Sequence, residues 1–300
     1  MDFDHQVKLN VPSKLSNDWY GLNYFLKIRD LANRFDSEAP RLIAKLEKLY
    51  DQVMRLEKPH LVIGCDHAMY QQLKDHGFYG LDRIEMRPST PWKGDYPLEN
   101  IVSQGRVIAS PVAFTSHVFP TVSYAHPLSG ALHISTFLFD NLTLHTRIRE
   151  QGGAYGCGAS SNTMAGIYYF YSYRDPQISG TVQAFKEAIE KLLKGDFDDA
   201  DLEEAKLEMI QAIDSPISPG SRADLAYSWL REEKPLEVRQ VFRSKLLGVT
   251  KKDIVQAVEQ IIAKNIDKGA TVVFAGKELL EKENSLMQAE GLPPLPIYPV

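Results

Sequence analysis

The chain has 300 residues, 44% of them hydrophobic and 24% charged, which is the composition of an ordinary globular protein. Its net charge of −5, without a long cluster of lysine and arginine, argues against a nucleic-acid partner. Its apolar runs are interrupted within about ten residues, so the sequence offers no transmembrane helix and no apolar signal core.

The first hundred residues are expected to be mainly helical, because apolar residues recur there at helical spacing. The expected elements are an irregular lead-in over 1–17, a helix over 20–35, a helix over 36–54 capped by Asp36-Ser37, a strand over 61–64 and a short helix ending near 73. Residues 78–104 are rich in glycine and proline and show little periodicity. They are the best candidate for a linker.

The remaining two thirds of the chain alternate strand pairs with runs of helices. The expected elements are two strands within 107–124, a helix over 128–149, a strand over 167–173, helices over 181–193, 202–213, 222–231, 237–247 and 250–264, a strand over 270–274 and a short final helix. This order predicts an α+β fold, with residues 105–285 forming one antiparallel sheet covered by helices on one face.

One arrangement of elements occurs twice. Amphipathic helix, short apolar strand, glycine and short polar helix follow one another at residues 38–73 and again at 250–284. The repeat favours two similar domains of about 200 residues each. We therefore expect residues 1–77 to be the C-terminal part of one α+β domain, 78–104 a linker, and 105–300 a complete last domain.

The most informative stretch is Arg149-Glu-Gln-Gly152-Gly153-Ala-Tyr155-Gly. The helix before it should be buried nearly all round, and the two glycines should end it, since glycine accepts a left-handed backbone. A buried helix that presents an arginine and a tyrosine through a glycine joint is a candidate site. The alternative is an ordinary helix C-cap followed by a packed tyrosine ring.

The sequence contains no metal-binding motif of its own. None of the eight histidines has a second histidine four residues on, so neither HExxH nor HxxEH can be read, and we expect no metal ligand in this chain. The only cysteines, Cys65 and Cys157, fit a reducing compartment, such as the cytoplasm or an organelle matrix. Cys157 could be a nucleophile, but packing is the better interpretation because the sequence places no base beside it.

With these residues in view, the chain resembles the C-terminal portion of a pitrilysin/insulinase-family zinc metallopeptidase (an inverzincin), in the branch of presequence protease and falcilysin. The resemblance is carried by Arg147-Ile-Arg149-Glu-Gln-Gly-Gly-Ala-Tyr155-Gly and by Tyr171-Ser-Tyr-Arg-Asp-Pro176. It covers nearly the whole chain beyond about the first fifteen residues. Cys157 departs from the pattern, in which a second glycine is usual after Gly-Gly-Ala-Tyr-Gly.

The resemblance implies four similar α+β domains in two halves, with a zinc site of the HxxEH type in the first half. It also implies that the last domain supplies an arginine and a tyrosine, here Arg149 and Tyr155 as catalytic groups. Arg149, Gly152, Gly153 and Tyr155 would contact the peptide substrate. Zinc would belong to the intact enzyme, and the partner of this chain would be the N-terminal catalytic half.

The function implied is therefore that of a substrate-binding part of a peptide-degrading zinc metalloendopeptidase, inactive alone. Two alternatives remain open. The chain could be a separately encoded half that pairs with a zinc-bearing partner, or a non-catalytic structural subunit like the core subunits of respiratory complexes. The presence of both Arg149 and Tyr155 counts against the structural subunit, which has no need of them.

Overall fold

The computed structural model describes residues 7–8, 11–54, 57, 59–84, 86–88, 94, 96, 98 and 100–300. The chain divides into two compact units. Unit 1 comprises Met1–Leu22, Pro97–Asp214 and Gln240–Val300, and unit 2 comprises Asn23–Tyr96 and Ser215–Arg239. This division follows contacts rather than domain ancestry, so the expected boundaries at 77 and 105 stay a prediction.

Helices account for most of the described residues. In chain order the α-helices are α1 (Val11–Tyr20), α2 (Leu22–Asn33), α3 (Phe35–Val53), α4 (His67–Asp75), α5 (Ser129–Phe139), α6 (Ser179–Leu193), α7 (Asp199–Ile213), α8 (Arg222–Arg231), α9 (Leu236–Leu247), α10 (Lys251–Ala257), α11 (Ala263–Asn265) and α12 (Lys277–Ala289). Two π-helical segments, Asp140–Glu150 and Val258–Ile262, continue α5 and α10. Within the described ranges, no helix is both long and apolar enough to cross a membrane.

Unit 1 is built around a six-stranded sheet. Eight strands occur in the described residues, and the last six of them form this sheet. In chain order they are β1 (Val7–Lys8), β2 (Asn100–Ile101), β3 (Gln104–Val107), β4 (Ala113–Pro120), β5 (Gly156–Asn162), β6 (Ile167–Asp175), β7 (Ala270–Ala275) and β8 (Ile297–Pro299). The sheet has the order β5-β6-β4-β7-β3-β8, and β1 pairs separately with β2.

The expected α+β fold with a helix-covered sheet is confirmed, with one correction to the strand directions. The pairs β5–β6, β6–β4 and β4–β7 are antiparallel, but β3 is parallel to both of its neighbours, β7 and β8. The chain passes through several helices between β3 and each of its two parallel neighbours, β7 and β8. Such long connections permit parallel pairing, whereas short hairpins do not.

One face of the sheet is buried under helices and the other is open. Along β6, Tyr168 and Phe170 are buried, while the alternate residues Tyr171 and Tyr173 are exposed. The buried side chains join one apolar core with residues of α5, its π-helical continuation, α6 and α7, including Phe185 of α6. Because only one face is covered, side chains along β6 alternate between the apolar core and the solvent.

The helix that leads to the site is buried in its first half only. Eight of the eleven residues of α5 are buried, whereas the π-helical segment buries Thr143, Leu144 and Ile148 and exposes most of its other residues. The expectation of burial nearly all round is therefore right for α5 and wrong for the π-helical segment. The exposed part is the one that carries Arg149.

Four further local expectations are wrong. Residues 11–20 are helical rather than irregular, and the cap of α3 is Arg34 without a side-chain hydrogen bond rather than Asp36-Ser37. Leu61–Gly64 is not a strand, because the described residues offer it no neighbouring strand to pair with. The sequence predicts Pro176 in the first turn of the helix after the strand, where proline is tolerated, but Pro176 lies in the loop after β6 because β6 continues to Asp175.

Unit 2 is helical in its described part and leaves much apolar surface exposed. The spacing of Leu42, Leu46, Leu49 and Val53 predicts a half-buried face on α3, but most of this face is open. Leu46, Leu49 and Val53 are each more than half exposed, and so is Ile43 beside them. No described residue of α3 is buried. An amphipathic helix of this length normally covers its apolar face with another element.

Candidate functional site

The site is built on the end of the π-helical segment, where two glycines are required for different reasons. A Cβ on Gly152 would lie 2.5 Å from the carbonyl oxygen of Ile148, too close for any side chain. Gly153 has φ +82°, a backbone conformation that glycine adopts without strain. Backbone N–H groups of Gly153 and Ala154 donate to the carbonyls of Arg149 and Ile148, at 3.0 Å each, and close the helix.

Tyr155 leaves this joint with its side chain on the open face of the sheet. Its ring is 71% exposed and meets the ring of Tyr173 edge-on, with 6.0 Å between centroids. The backbone N–H of Tyr155 donates to the carbonyl of Arg174 at 3.3 Å. Within the described residues, no hydrogen bond occupies the Tyr155 hydroxyl, so it can donate to a ligand.

The two arginines of the motif have different surroundings. Arg147 forms a bidentate pair with Glu187, with N–O distances of 2.8 and 3.1 Å, and also donates to Gln151. Arg149 is exposed, and among the described residues its guanidinium has no hydrogen bond or ion pair. Arg147 therefore stabilises the fold locally, whereas Arg149 keeps five N–H donors for a ligand.

Arg149 and Tyr155 line the same cavity, which has a volume of about 680 Å³. Its remaining lining comes from the helix end, the glycine joint and the end of β6: His145, Glu150, Gly153, Ala154 and Arg174. Three of the expected contact residues thus meet in one cavity. Gly152 lies next to it, and the Gln177 side-chain amide holds the Gly152 carbonyl at 3.1 Å.

Two residues of this cavity were missed at the sequence level. His145 is four positions before Arg149 and so projects from the same side of the helix. Arg174 belongs to the Ser-Tyr-Arg-Asp-Pro motif, which supports the family resemblance but gives no role for the arginine. Only the pairing of β6 with its neighbours shows that Arg174 reaches the same cavity as Tyr155.

Cys157 is a packing residue. Its side chain is buried, and its thiol donates to the carbonyl of Leu144 at 3.2 Å. Burial, assisted by the negative charges of Asp140 and Asp175, raises the pKa of Cys157 to about 12. A thiol held in its protonated form is a poor nucleophile, which supports the packing interpretation.

Asp140 is a half-buried carboxylate that contacts this strand. It begins the π-helical segment and accepts a hydrogen bond of 2.8 Å from the backbone N–H of Ala159 in β5. Burial raises the pKa of Asp140 to about 7, against the lowering effect of that hydrogen bond. Asp140 therefore joins the helix to the sheet edge and changes its charge near neutral pH.

The described residues contain no group of three or more histidine, cysteine, aspartate or glutamate side chains that could hold a metal ion. What the cavity offers instead is a set of hydrogen-bond donors.

Two solved structures share this architecture. A protease from Helicobacter pylori superposes with a TM-score of 0.51 at 15% identity over 68% of this chain and 52% of its own. The inactive domain of an M16 peptidase from Pseudomonas fluorescens superposes with a TM-score of 0.52 at 15% identity, over 71% of this chain and 52% of its own. At this level of identity the similarity shows the fold, which is that of an M16 peptidase domain.

The family follows from the sequence comparisons. The model of the PreP C-terminal domain matches residues 107–277, more than half of the chain. Presequence protease, mitochondrial, of Kluyveromyces lactis is 29% identical over 265 residues, which are 85% of this chain and 26% of the relative. The protein of the same name in Saccharomyces cerevisiae is 34% identical over 195 residues, 64% of this chain and 19% of the relative.

The chain belongs to the PreP C-terminal domain family. It spans about a quarter or less of the curated relatives that it matches. The expected relationship to the pitrilysin-type peptidases is thereby confirmed.

Proposed function

We propose that this chain is the substrate-binding C-terminal part of a zinc metalloendopeptidase that degrades unfolded peptides. In this proposal Arg149 and Tyr155 act on the peptide, and a zinc-bearing N-terminal half supplies the metal. The observation that carries the proposal is that the Arg149 guanidinium and the Tyr155 hydroxyl, neither of which has a hydrogen-bond partner among the described residues, line one exposed cavity of about 680 Å³.

The chemistry of these two groups suits peptide cleavage. When a peptide bond is attacked, negative charge develops on its carbonyl oxygen, and a preorganised donor such as the Tyr155 hydroxyl stabilises it. The planar guanidinium of Arg149 suits a second carbonyl or a carboxylate of the peptide. Gly152 and Gly153 let the chain turn sharply between the two residues, and the hydrogen bonds from the N–H groups of Gly153 and Ala154 to the helix end keep the turn in place.

The remaining half of the enzyme must supply what this chain lacks. The described residues do not form a zinc site, and the matched relatives are about four times as long as the matched stretch, or longer. The names of these relatives describe presequence proteases of mitochondria. We therefore infer peptides of the presequence type as the substrate class, a mitochondrial or similar matrix as the compartment, and the catalytic half as the partner.

The domain boundaries are part of the same proposal. Residues 1–77 would be the end of a preceding domain, 78–104 a linker and 105–300 the last domain. The open apolar face of α3, with Leu46, Leu49 and Val53 more than half exposed, supports this assignment. An apolar helix face is normally packed against another element. We infer that this element belongs to the rest of the preceding domain, since the matched relatives are much longer than the matched stretch.

The test compares the two arginines in the intact enzyme, assembled from this chain and the zinc-bearing half. Arg149→Ala should lower kcat/KM by roughly 10- to 100-fold, because a hydrogen bond to a charged group contributes about 1.5–3 kcal/mol. Part of this loss should appear as a higher KM, since the arginine also binds the ground state of the peptide.

Arg147→Ala is the matched control. It removes the same side chain two positions away but breaks only exposed contacts, an ion pair with Glu187 and a hydrogen bond to Gln151. An exposed ion pair of this kind contributes no more than about 1 kcal/mol of stability. Its kcat and KM should stay at the wild-type values. Equal losses in both variants, or none in either, would contradict a specific role for Arg149.

A further inference from the structure

Arg174 has an unusual backbone. Its φ is +50°, in the left-handed region that residues other than glycine seldom occupy. The cause is a β-bulge in β6. Ala113 of β4 pairs with Asp175 of β6, and Thr115 of β4 pairs with Ser172 of β6. Between these two pairs β4 advances by two residues and β6 by three. One extra residue is thus inserted into β6 opposite Phe114.

The bulge changes the direction of the Arg174 side chain. In a regular strand Tyr173 and Arg174 would lie on opposite faces, but here both are exposed while Ser172 and Asp175 on either side are buried. Asp175 is fixed in its position by hydrogen bonds from the Gln177 backbone N–H and the Thr181 hydroxyl. The bulge therefore brings Arg174 onto the open face of the sheet, beside Tyr173.

On this face Arg174 contacts two rings. The carbon at the centre of its guanidinium lies 5.5 Å from the ring centroid of Tyr173 and 5.9 Å from that of Tyr155. Its backbone carbonyl also accepts the hydrogen bond from the N–H of Tyr155. One residue thus holds Tyr155 through both the main chain and the side chain.

Tyr155 has few other restraints. Gly153 lies two residues before it and Gly156 directly after it, and a Cβ on Gly156 would have no neighbour within 4 Å. The ring itself is 71% exposed. An exposed tyrosine whose hydroxyl makes no hydrogen bond within the described residues keeps a fixed hydroxyl direction only if its ring is restrained. Here the ring contacts Tyr173 and the guanidinium of Arg174.

We propose that Arg174 is a positioning residue whose guanidinium, brought over Tyr155 and Tyr173 by the bulge in β6, fixes the direction of the Tyr155 hydroxyl. This inference rests on the proposed function of Tyr155. Glycine would form the bulge with less backbone strain than arginine. The strain at position 174 is therefore explained by the contact that the guanidinium makes with Tyr155.

The first test compares Arg174→Gly with Arg174→Ala in the intact enzyme. Both remove the guanidinium, but glycine accepts φ +50° without strain, whereas alanine keeps the backbone strain that arginine has at this position. Both should lower kcat by about 10-fold with KM within about twofold, because a misdirected donor weakens mainly the transition state. Arg174→Gly should nevertheless have a higher Tm than Arg174→Ala, and Arg174→Lys should recover part of the activity because it keeps the cation.

If Arg174 served only the geometry of the bulge, activity would follow stability. The loss of the guanidinium would then leave kcat unchanged, and a wild-type kcat in both Arg174→Gly and Arg174→Ala would overturn the inference.

The second test is a double-mutant cycle. If Arg174 acts through the Tyr155 hydroxyl, Arg174→Ala should cause no further loss of kcat once Tyr155→Phe has removed that hydroxyl. Multiplying losses would mean that Arg174 binds substrate directly and would refute the positioning role. A wild-type kcat in Tyr155→Phe itself would instead refute the proposed function, so the two failures are distinguishable.

A third measurement needs neither zinc nor substrate. In the 300-residue chain labelled with 3-fluorotyrosine, the ¹⁹F resonance of Tyr155 is identified by its loss in Tyr155→Phe. Arg174→Gly and Arg174→Ala should shift this resonance in the same direction, because both remove the cation from the ring. An unchanged resonance in both variants would show that the guanidinium does not restrain Tyr155, and the inference would fail.

Discussion

Replacing Asp140 by asparagine should stabilise the chain at alkaline pH and remove a pH dependence of its stability. The carboxyl group of Asp140 has a pKa of 3.8 in an unfolded chain and about 7 in the folded protein, chiefly because of burial. The folded state therefore favours the protonated form. Its stabilising contribution is complete below about pH 4 and is lost as the pH rises towards and through 7.

The size of this loss follows from the shift in pKa. A rise from 3.8 to about 7 is roughly three pKa units, and at about 1.4 kcal/mol for each unit the ionised carboxylate costs about 4 kcal/mol at pH 8. Asparagine avoids this cost because it is always neutral. Its side-chain oxygen can still accept the hydrogen bond from Ala159 that Asp140 accepts at 2.8 Å.

The assay is urea unfolding of the 300-residue chain at several pH values between 5 and 8.5. The free energy of unfolding should fall with rising pH in the wild type and much less in Asp140→Asn, so the difference between them should grow towards pH 8. Asp196→Asn makes the same change of charge at an exposed carboxylate and is the control. A difference between Asp140→Asn and wild type that is the same at every pH would refute the reasoning.

Three further outcomes are expected. Gly152→Ala should lower the free energy of unfolding by about 1–3 kcal/mol because its Cβ would lie 2.5 Å from a carbonyl oxygen, while Gly156→Ala, with open space around it, should change it little. Burial lowers the pKa of His117, so the chain should lose stability as the pH falls below about 6.5, and His117→Gln should reduce that loss in acid unfolding curves. The chain alone should neither retain zinc after dialysis nor cleave peptides; stoichiometric zinc or metal-dependent cleavage by the pure chain would contradict this.

Much of the fold could be predicted from the sequence because local patterns decide it. The helix over 222–231 has its expected bounds, and the capping box between Thr250 and Asp253 forms as its residue types require. The joint at Gly152 and Gly153 also ends its helix as predicted. In each case the determining contacts lie within a few residues of one another along the chain.

What could not be predicted depends on partners far away in the sequence. The apolar stretch Leu61–Gly64 has the composition of a strand, but a strand needs a neighbour, and the described residues provide none. The parallel direction of β3 depends on β7, more than 160 residues later. The position of Arg174 could not be predicted for the same reason. The bulge that brings Arg174 over Tyr155 depends on the pairing of β6 with β4, which lie far apart in the sequence.

The most direct measurement of the site's role is the kinetics of Tyr155→Phe in the intact enzyme, with Tyr298→Phe, another exposed tyrosine, as the control. We expect kcat of Tyr155→Phe to fall by about 10²–10³, as for removal of one donor to a developing oxyanion. KM should stay within about twofold and Tm should not change, since the hydroxyl is exposed and makes no hydrogen bond within the described residues. A wild-type kcat in Tyr155→Phe would contradict the assignment of Tyr155 as a catalytic group.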